Sequence, residues 1–168
     1  MKLSLLDIRT RSQVRSNRSP RSTVPYKEAI QVGVLFTVED RKKHDNIKEF
    51  VHRLEKDGKK VSVFSFLPKR KDNHEFLYDF FTIQDISFWG NIISTGASKF
   101  NASSFDYLFY ADLEPNPILL NLVARSKAKC RIGRYSEHIR PYFEFMIDSG
   151  RDIKSLLDGM YNYSHQFK

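Results

Sequence analysis

Residues Ala29 to Phe36 (Ala-Ile-Gln-Val-Gly-Val-Leu-Phe) are apolar or glycine at every position but Gln31. A run with so little polar alternation predicts a strand buried on both faces, the central strand of an open α/β sheet. The period then changes. Ile47, Phe50, Val51 and Leu54 stand at i, i+3, i+4 and i+7, the stripe of an amphipathic helix. Asp40 or Asp45 is placed to cap its start and Gly58 to end it. Val61 to Leu67 reads as a second strand, stopped by Pro68. Strand, helix and strand in this succession make a βαβ unit with parallel strands and a right-handed crossover.

Residues 69–105 are less regular. Lys69 to His74 is polar, Glu75 to Phe81 predicts a short edge strand or turn, and Phe88-Trp89-Gly90 carries the single Trp. Among so many Phe residues Trp89 reads as a core or lid plug; a binding platform is the other reading. Asp106 to Leu113 is the next strong strand. Pro117 opens a helix to about Ser126 with Ile118, Leu119, Leu122 and Val123 inward. Lys129 to Gly133 and Tyr142 to Ile147 are further strands, and Arg151 to Tyr163 is a closing helix. The alternation predicts an α/β protein with a single doubly wound, mostly parallel sheet, Rossmann-like, in the order 2-1-3-4-5.

Charge divides the chain in two. The net charge is +8, and residues 1–27 hold Lys2, Arg9, Arg11, Arg15, Arg18, Arg21 and Lys27 against Asp7 alone. The expected organisation is therefore a basic, flexible N-terminal arm, 1–27, on an α/β domain, 28–168. Within 9–25, Arg alternates with small polar residues and Pro20 and Pro25 interrupt regular structure, so the segment alone cannot offset its ordering entropy. It suits an extended strand tracking phosphates, as Arg-rich segments that fold on RNA do. A solubilising tail or an organellar transit peptide has a similar composition. Leu3, Leu5, Leu6 and Ile8 before it suit one docking helical turn. The single Cys130 allows no intramolecular disulfide and points to a reducing compartment, the cytoplasm. No apolar run is long enough for a membrane-spanning helix.

Ligands of open α/β sheets bind at the carboxyl ends of the strands, where the winding reverses. The loops expected there carry Glu39, Asp40, Arg41, Lys42, Lys43 and His44; then Lys69, Arg70 and Lys71; then Asp112, Glu114 and Asn116; then Arg134, Tyr135, Glu137, His138 and Arg140. Three of the four are basic, a rim suited to phosphate. No Gly-rich phosphate loop follows the first strand, and the five His residues show no metal-ligand spacing. Asp112 with Glu114 is the best carboxylate pair, and Asp40 joins them as an alternative ligand site. Cys130 reads as a small buried hydrophobe rather than an activated thiol.

Phe105 to Leu113, Leu119 to Ala128 and Cys130-Arg131-Ile132-Gly133 resemble the N-terminal half of heptosyltransferase-type glycosyltransferases. The chain from residue 30 onward is similar to an uncharacterised bacterial family of small single-domain proteins, sharing Phe81, Asp85, Trp89 and Gly90 with Phe88 inserted. The resemblance implies the half-fold. It argues against glycosyl transfer, because Glu39-Asp40 stands where those enzymes have a Gly-Asp pair and 168 residues leave no room for their second nucleotide-sugar domain.

The expected function is a non-enzymatic module, without cofactor, metal or catalytic residues. Arg9, Arg11, Arg15, Arg18 and Arg21 with the rim residues Arg41, Lys42, Lys43, Lys69, Arg70, Lys71 and Arg134 dock on a polyanion, RNA in a ribonucleoprotein such as the ribosome. The alternatives are a degenerate glycosyltransferase-like or phosphorylated-ligand-binding protein, and a protein-interaction subunit presenting Trp89 and nearby Phe residues.

Overall fold

The structure, a computed structural model, describes residues 1–68 and 78–168. Lys69, Arg70, Lys71 and the first three residues of the expected edge strand or turn, Glu75, Phe76 and Leu77, lie outside the described residues. Among those described, six parallel strands form one sheet. They are β1 (Gln31–Thr37), β2 (Lys60–Leu67), β3 (Asp79–Thr82), β4 (Tyr107–Tyr110), β5 (Cys130–Arg134) and β6 (Phe145–Ile147). The order is β3-β2-β1-β4-β5-β6. This corrects the expected 2-1-3-4-5 by one added edge strand; the other five keep their predicted neighbours. β3 overlaps the short edge strand or turn expected over Glu75 to Phe81, but four residues are too few to show a period, so its pairing with β2 in the sheet was not readable.

Val34 of β1 pairs with Val63 on one side and Phe109 on the other, which makes β1 the central strand its apolar run predicts. Alternate side chains go to opposite faces. Val32, Val34 and Phe36 meet Phe50, Leu54, Leu156 and Met160 on the face covered by α2 (Arg41–Lys56) and α5 (Ile153–Ser164). Leu35, Leu108 and Tyr110 meet Phe100, Leu119 and Val123 on the face covered by α3 (Thr95–Ala102) and α4 (Pro117–Arg125). Asp40 caps α2 through the Lys43 N–H at 2.7 Å, Asn116 caps α4 and Asp152 caps α5.

The largest departure from expectation is at the N-terminus. Lys2–Ser16 is a helix, α1, and not an extended arm. Its cause lies in α4, where every residue from Ile118 to Ala124 is buried. A helix buried all round needs cover on its outer side too. The α1 helix packs there, with Leu6 at 0% exposure. The Asn121 side-chain amide donates to Thr10 Oγ1 at 2.8 Å, and that hydroxyl donates to the Leu6 carbonyl. Both polar groups are buried and satisfied. At the end of α1, Asn17 Nδ2 donates to the carbonyls of Ala124 (2.8 Å) and Ser126 (3.0 Å), closing the C-terminal end of α4. The chain then runs under the amino edge of the sheet. Ser22 N–H donates to the Lys129 carbonyl at 3.0 Å, Tyr26 N–H to that of Phe167 at 3.1 Å, and the Tyr107 hydroxyl to that of Val24.

That amino edge is tied together by Asp106. One carboxylate oxygen accepts the N–H groups of Ile30 (2.8 Å) and Gln31 (3.0 Å), and the other accepts Lys129 Nζ at 2.8 Å. The entries to β1, β4 and β5 thus share one acceptor. Burial pushes the Asp106 carboxyl up, but donation from Lys129 and the two backbone groups more than offsets it, and the net shift is downward.

Two outcomes are expected. Leu6→Ala lowers unfolding free energy in urea by about 2–5 kcal/mol, whereas Leu3→Ala, at a half-exposed position of the same helix, changes it by less than about 0.5 kcal/mol. Because the folded pKa of Asp106 lies below its ordinary 3.8, the stability it contributes is whole above that value and lost as pH falls through the folded pKa. Asp106→Asn therefore flattens the acid limb of a stability-versus-pH profile.

Candidate functional site

The winding reverses between β1 and β4, and the residues at the carboxyl ends of those strands form a closed polar network. Asp112, 2% exposed, accepts the Thr37 N–H at 2.8 Å, the Thr37 hydroxyl at 2.6 Å and Lys43 Nζ at 2.7 Å. Lys43 is buried in the first turn of α2 and also donates to Glu39 Oε1 at 2.8 Å. Asn116 Nδ2 reaches the Thr37 hydroxyl, while its N–H donates to the Tyr110 hydroxyl. Burial first, then the Asp112 charge, hold the Tyr110 phenol well above its ordinary pKa. The network bolts α2 to the end of β4. In front of it is an open cleft of about 350 Å³ whose lining includes Lys42, Asn46, Leu113, Arg151 and Lys154, with Glu39, Asp40 and Asp152 among them.

The expected rim is therefore mixed rather than basic over the described residues. Lys43 faces inward as an ion-pair partner. Arg41 is exposed and 4.0 Å from Asp45. Arg134 donates to the Leu113 carbonyl at 2.9 Å and lies 3.8 Å from Glu114. The three carboxylates of the alternative site do not converge. Asp40 caps α2, Asp112 is enclosed, and the Glu114 side chain is 88% exposed. No group of three or more His, Cys, Asp or Glu among the described residues is placed to hold a metal ion.

The basic residues of the arm lie on the α1–α4 face and at the amino edge instead. Arg11 pairs with Asp7 one turn before it, at 2.8 Å. Arg9 Nε donates to the Trp89 carbonyl at 3.0 Å. Arg15 and Arg18 are exposed and form no ion pair among the described residues. Arg21 is different. It donates to the Ala128 carbonyl and lies 3.7 Å from Glu144, so it serves the amino edge. Folding the arm back thus leaves most of its charge facing solvent.

Trp89 is not a plug. It is 64% exposed and Phe88 is 57% exposed, the two rings edge to face at 5.3 Å between centroids. The turn that carries them is firmly built. Ser87 N–H donates to the Asn91 carbonyl at 2.8 Å, and Gly90 N–H donates to the Ser87 carbonyl at 3.0 Å. Gly90 has φ +74°, and a Cβ there would stand 2.5 Å from the Leu6 amide nitrogen. Glycine is required twice over, by the backbone angle and by the approach of α1. Cys130 is fully buried, and burial, with the Glu144 charge adding to it, pushes its thiol up to about 12. It is the inert core thiol its sequence setting predicts.

These features define a Rossmann-like α/β protein with an ion pair at the floor of its switch point and a cationic helix laid over one flank. The chain belongs to a family of unknown function, DUF6913, whose model matches residues 2–164. That span runs from the first residue of α1 to the last of α5. No curated protein matches the chain.

Asp112→Ala is expected to cost about 3 kcal/mol of stability, because it leaves Lys43 buried with Glu39 alone. Urea unfolding measures it, and Glu114→Ala, at an exposed position, is the near-silent control.

Proposed function

We propose that this protein is a non-enzymatic binding module of the bacterial cytoplasm that docks on a polyanion, RNA in a ribonucleoprotein such as the ribosome. The outward face of α1 and the segment after it make the main contact. The observation that carries this reading is the placement of charge. Residues 1–27 hold six of the chain's eight net positive charges, and Arg11, Arg15 and Arg18 all face solvent. A helix anchored by Leu6 and Asn17 presents Arg11 and Arg15, and Arg18 just beyond it, at little further entropy cost. Guanidinium groups so placed match phosphate oxygens and release counterions on binding. Arg41 and Lys42 add a second, weaker patch at the carboxyl edge.

A second reading has one observation in its favour: the cleft at the switch point, with Lys42, Arg151 and Lys154 on its wall, suits a small phosphorylated ligand. It keeps the likeness to a glycosyltransferase half in play as a binding fold without transfer. Stabilisation of the protein by nucleotides or sugar phosphates in a thermal-shift series would favour it over the first.

Charge substitution tests the leading reading; deletion of the arm does not, since it would also strip Leu6 from α4. In filter binding to RNA, Arg15→Gln with Arg18→Gln should weaken affinity and lower the log–log salt slope by roughly 0.7 per arginine for single strands. Unchanged affinity and slope would remove the proposal's support.

A further inference from the structure

The polyanion reading leaves the Phe88–Trp89 turn unexplained. Two large aromatic residues stand more than half exposed on a segment fixed by its own hydrogen bonds and by α1. Their chain surroundings are free of acid. From Ile86 to Phe105 the only charged residue is the cation Lys99. The adjoining acid, Asp85, is turned back into its own turn, accepting the Thr82 N–H at 2.8 Å.

Next to the aromatic pair lies a groove of about 250 Å³ between α1, α4 and the turn. Arg9 and Arg125 stand on its walls, and Ser12, Gln13 and Asn91 supply polar side chains. Arg9 uses Nε for the Trp89 carbonyl, which holds the arginine and the aromatic turn together. Cations along a groove, with an aromatic platform beside it, are what unpaired nucleic acid needs. The guanidinium groups follow the backbone and the rings stack on bases. Duplex offers no splayed base to a protruding indole, and a simple polyanion offers no base at all.

We infer that the occupant of this surface is single-stranded nucleic acid, with a base stacked on Trp89 or Phe88 and the neighbouring phosphates held by Arg9 and Arg125. This rests on the polyanion reading and sharpens it from charge to an unpaired strand. A protein partner would also meet Ile93, exposed in the same stretch, but it fits less well because the groove beside the aromatics is polar and carries Arg9 and Arg125.

The chain has one Trp, so its emission reports on Trp89 alone. The full-length protein is titrated with a short single-stranded RNA, with an abasic strand of equal length and charge, and with duplex. The expected result is strong quenching by the RNA, little by the other two, and tighter binding of the RNA. Trp89→Leu, read by anisotropy of labelled strands, should weaken RNA binding about 5- to 100-fold and leave the abasic strand unaffected. Phe88→Leu, which keeps the reporter, should weaken RNA binding in the same direction. Equal affinity for RNA and abasic strand without quenching overturns the inference and leaves the polyanion reading standing. Failure to bind any strand removes both. A concentration-dependent blue shift of Trp89 in protein alone would assign the patch to a second copy of the chain and overturn the inference as well.

Discussion

The architecture depends on the all-round burial of α4. Its inner side chains pack on Leu35 of β1 and Leu108 of β4, but Leu120, Asn121 and Ala124 are buried as well. The cover is α1, and it arrives with a matched polar contact, Thr10 to Asn121, and a clamp on the last carbonyls of α4 from Asn17. A buried Asn without a partner would cost more than an apolar residue there. The contact therefore selects one seating of α1, where apolar packing alone would accept several.

That seating decides where the charge goes. The side of α1 that carries Leu6 and Thr10 is committed to α4, so the arginines are turned outward or toward the groove. Arg15 stands in the last turn, where a cation also complements the helix dipole. The docking of α1 fixes the aromatic turn at Phe88-Trp89 through Gly90 and Arg9. Covering a hydrophobic helix and gathering a cationic surface are one structural event in this chain.

The centre of the sheet was legible because β1, β4 and β5 are buried along nearly their whole length and carry their apolar runs openly. The stripe of α2, the Asp40 cap, the Pro117 start and the closing helix were readable for the same reason. What escaped is made of weaker signals. The α3 helix (Thr95–Ala102) has Gly96 and several small polar residues and buries only Ala97, Phe100 and Asn101. The α1 helix buries one Leu and one Thr, too little for a periodic stripe. Its first turn was readable from Leu3, Leu5, Leu6 and Ile8, but the clue to its length lay in Leu120 and Ala124, left over on the outside of α4. Of the proposed site, the charge was visible in composition, but its inward or outward direction was not. Lys42 and Lys43 are neighbours in sequence, yet one faces solvent and the other is a buried ion-pair partner.

The ion pair at the switch point bears on function as much as on stability. In open sheets that crevice serves as the ligand site because diverging loops leave it vacant and helix N-termini point at it. Here Lys43 and Asp112 occupy its floor, and one first-turn N–H of α2 (Lys43) and one of α5 (Ser155) are capped by Asp40 and Asp152. An anion arriving there would meet carboxylates already holding those donors. The flank at α1 has exposed arginines, of which Arg15 and Arg18 form no ion pair among the described residues, and uncovered aromatic rings with no acid in the Ile86–Phe105 stretch. The same electrostatics are why the proposed site is set under the N-terminal helix and not at the crevice that the fold would suggest.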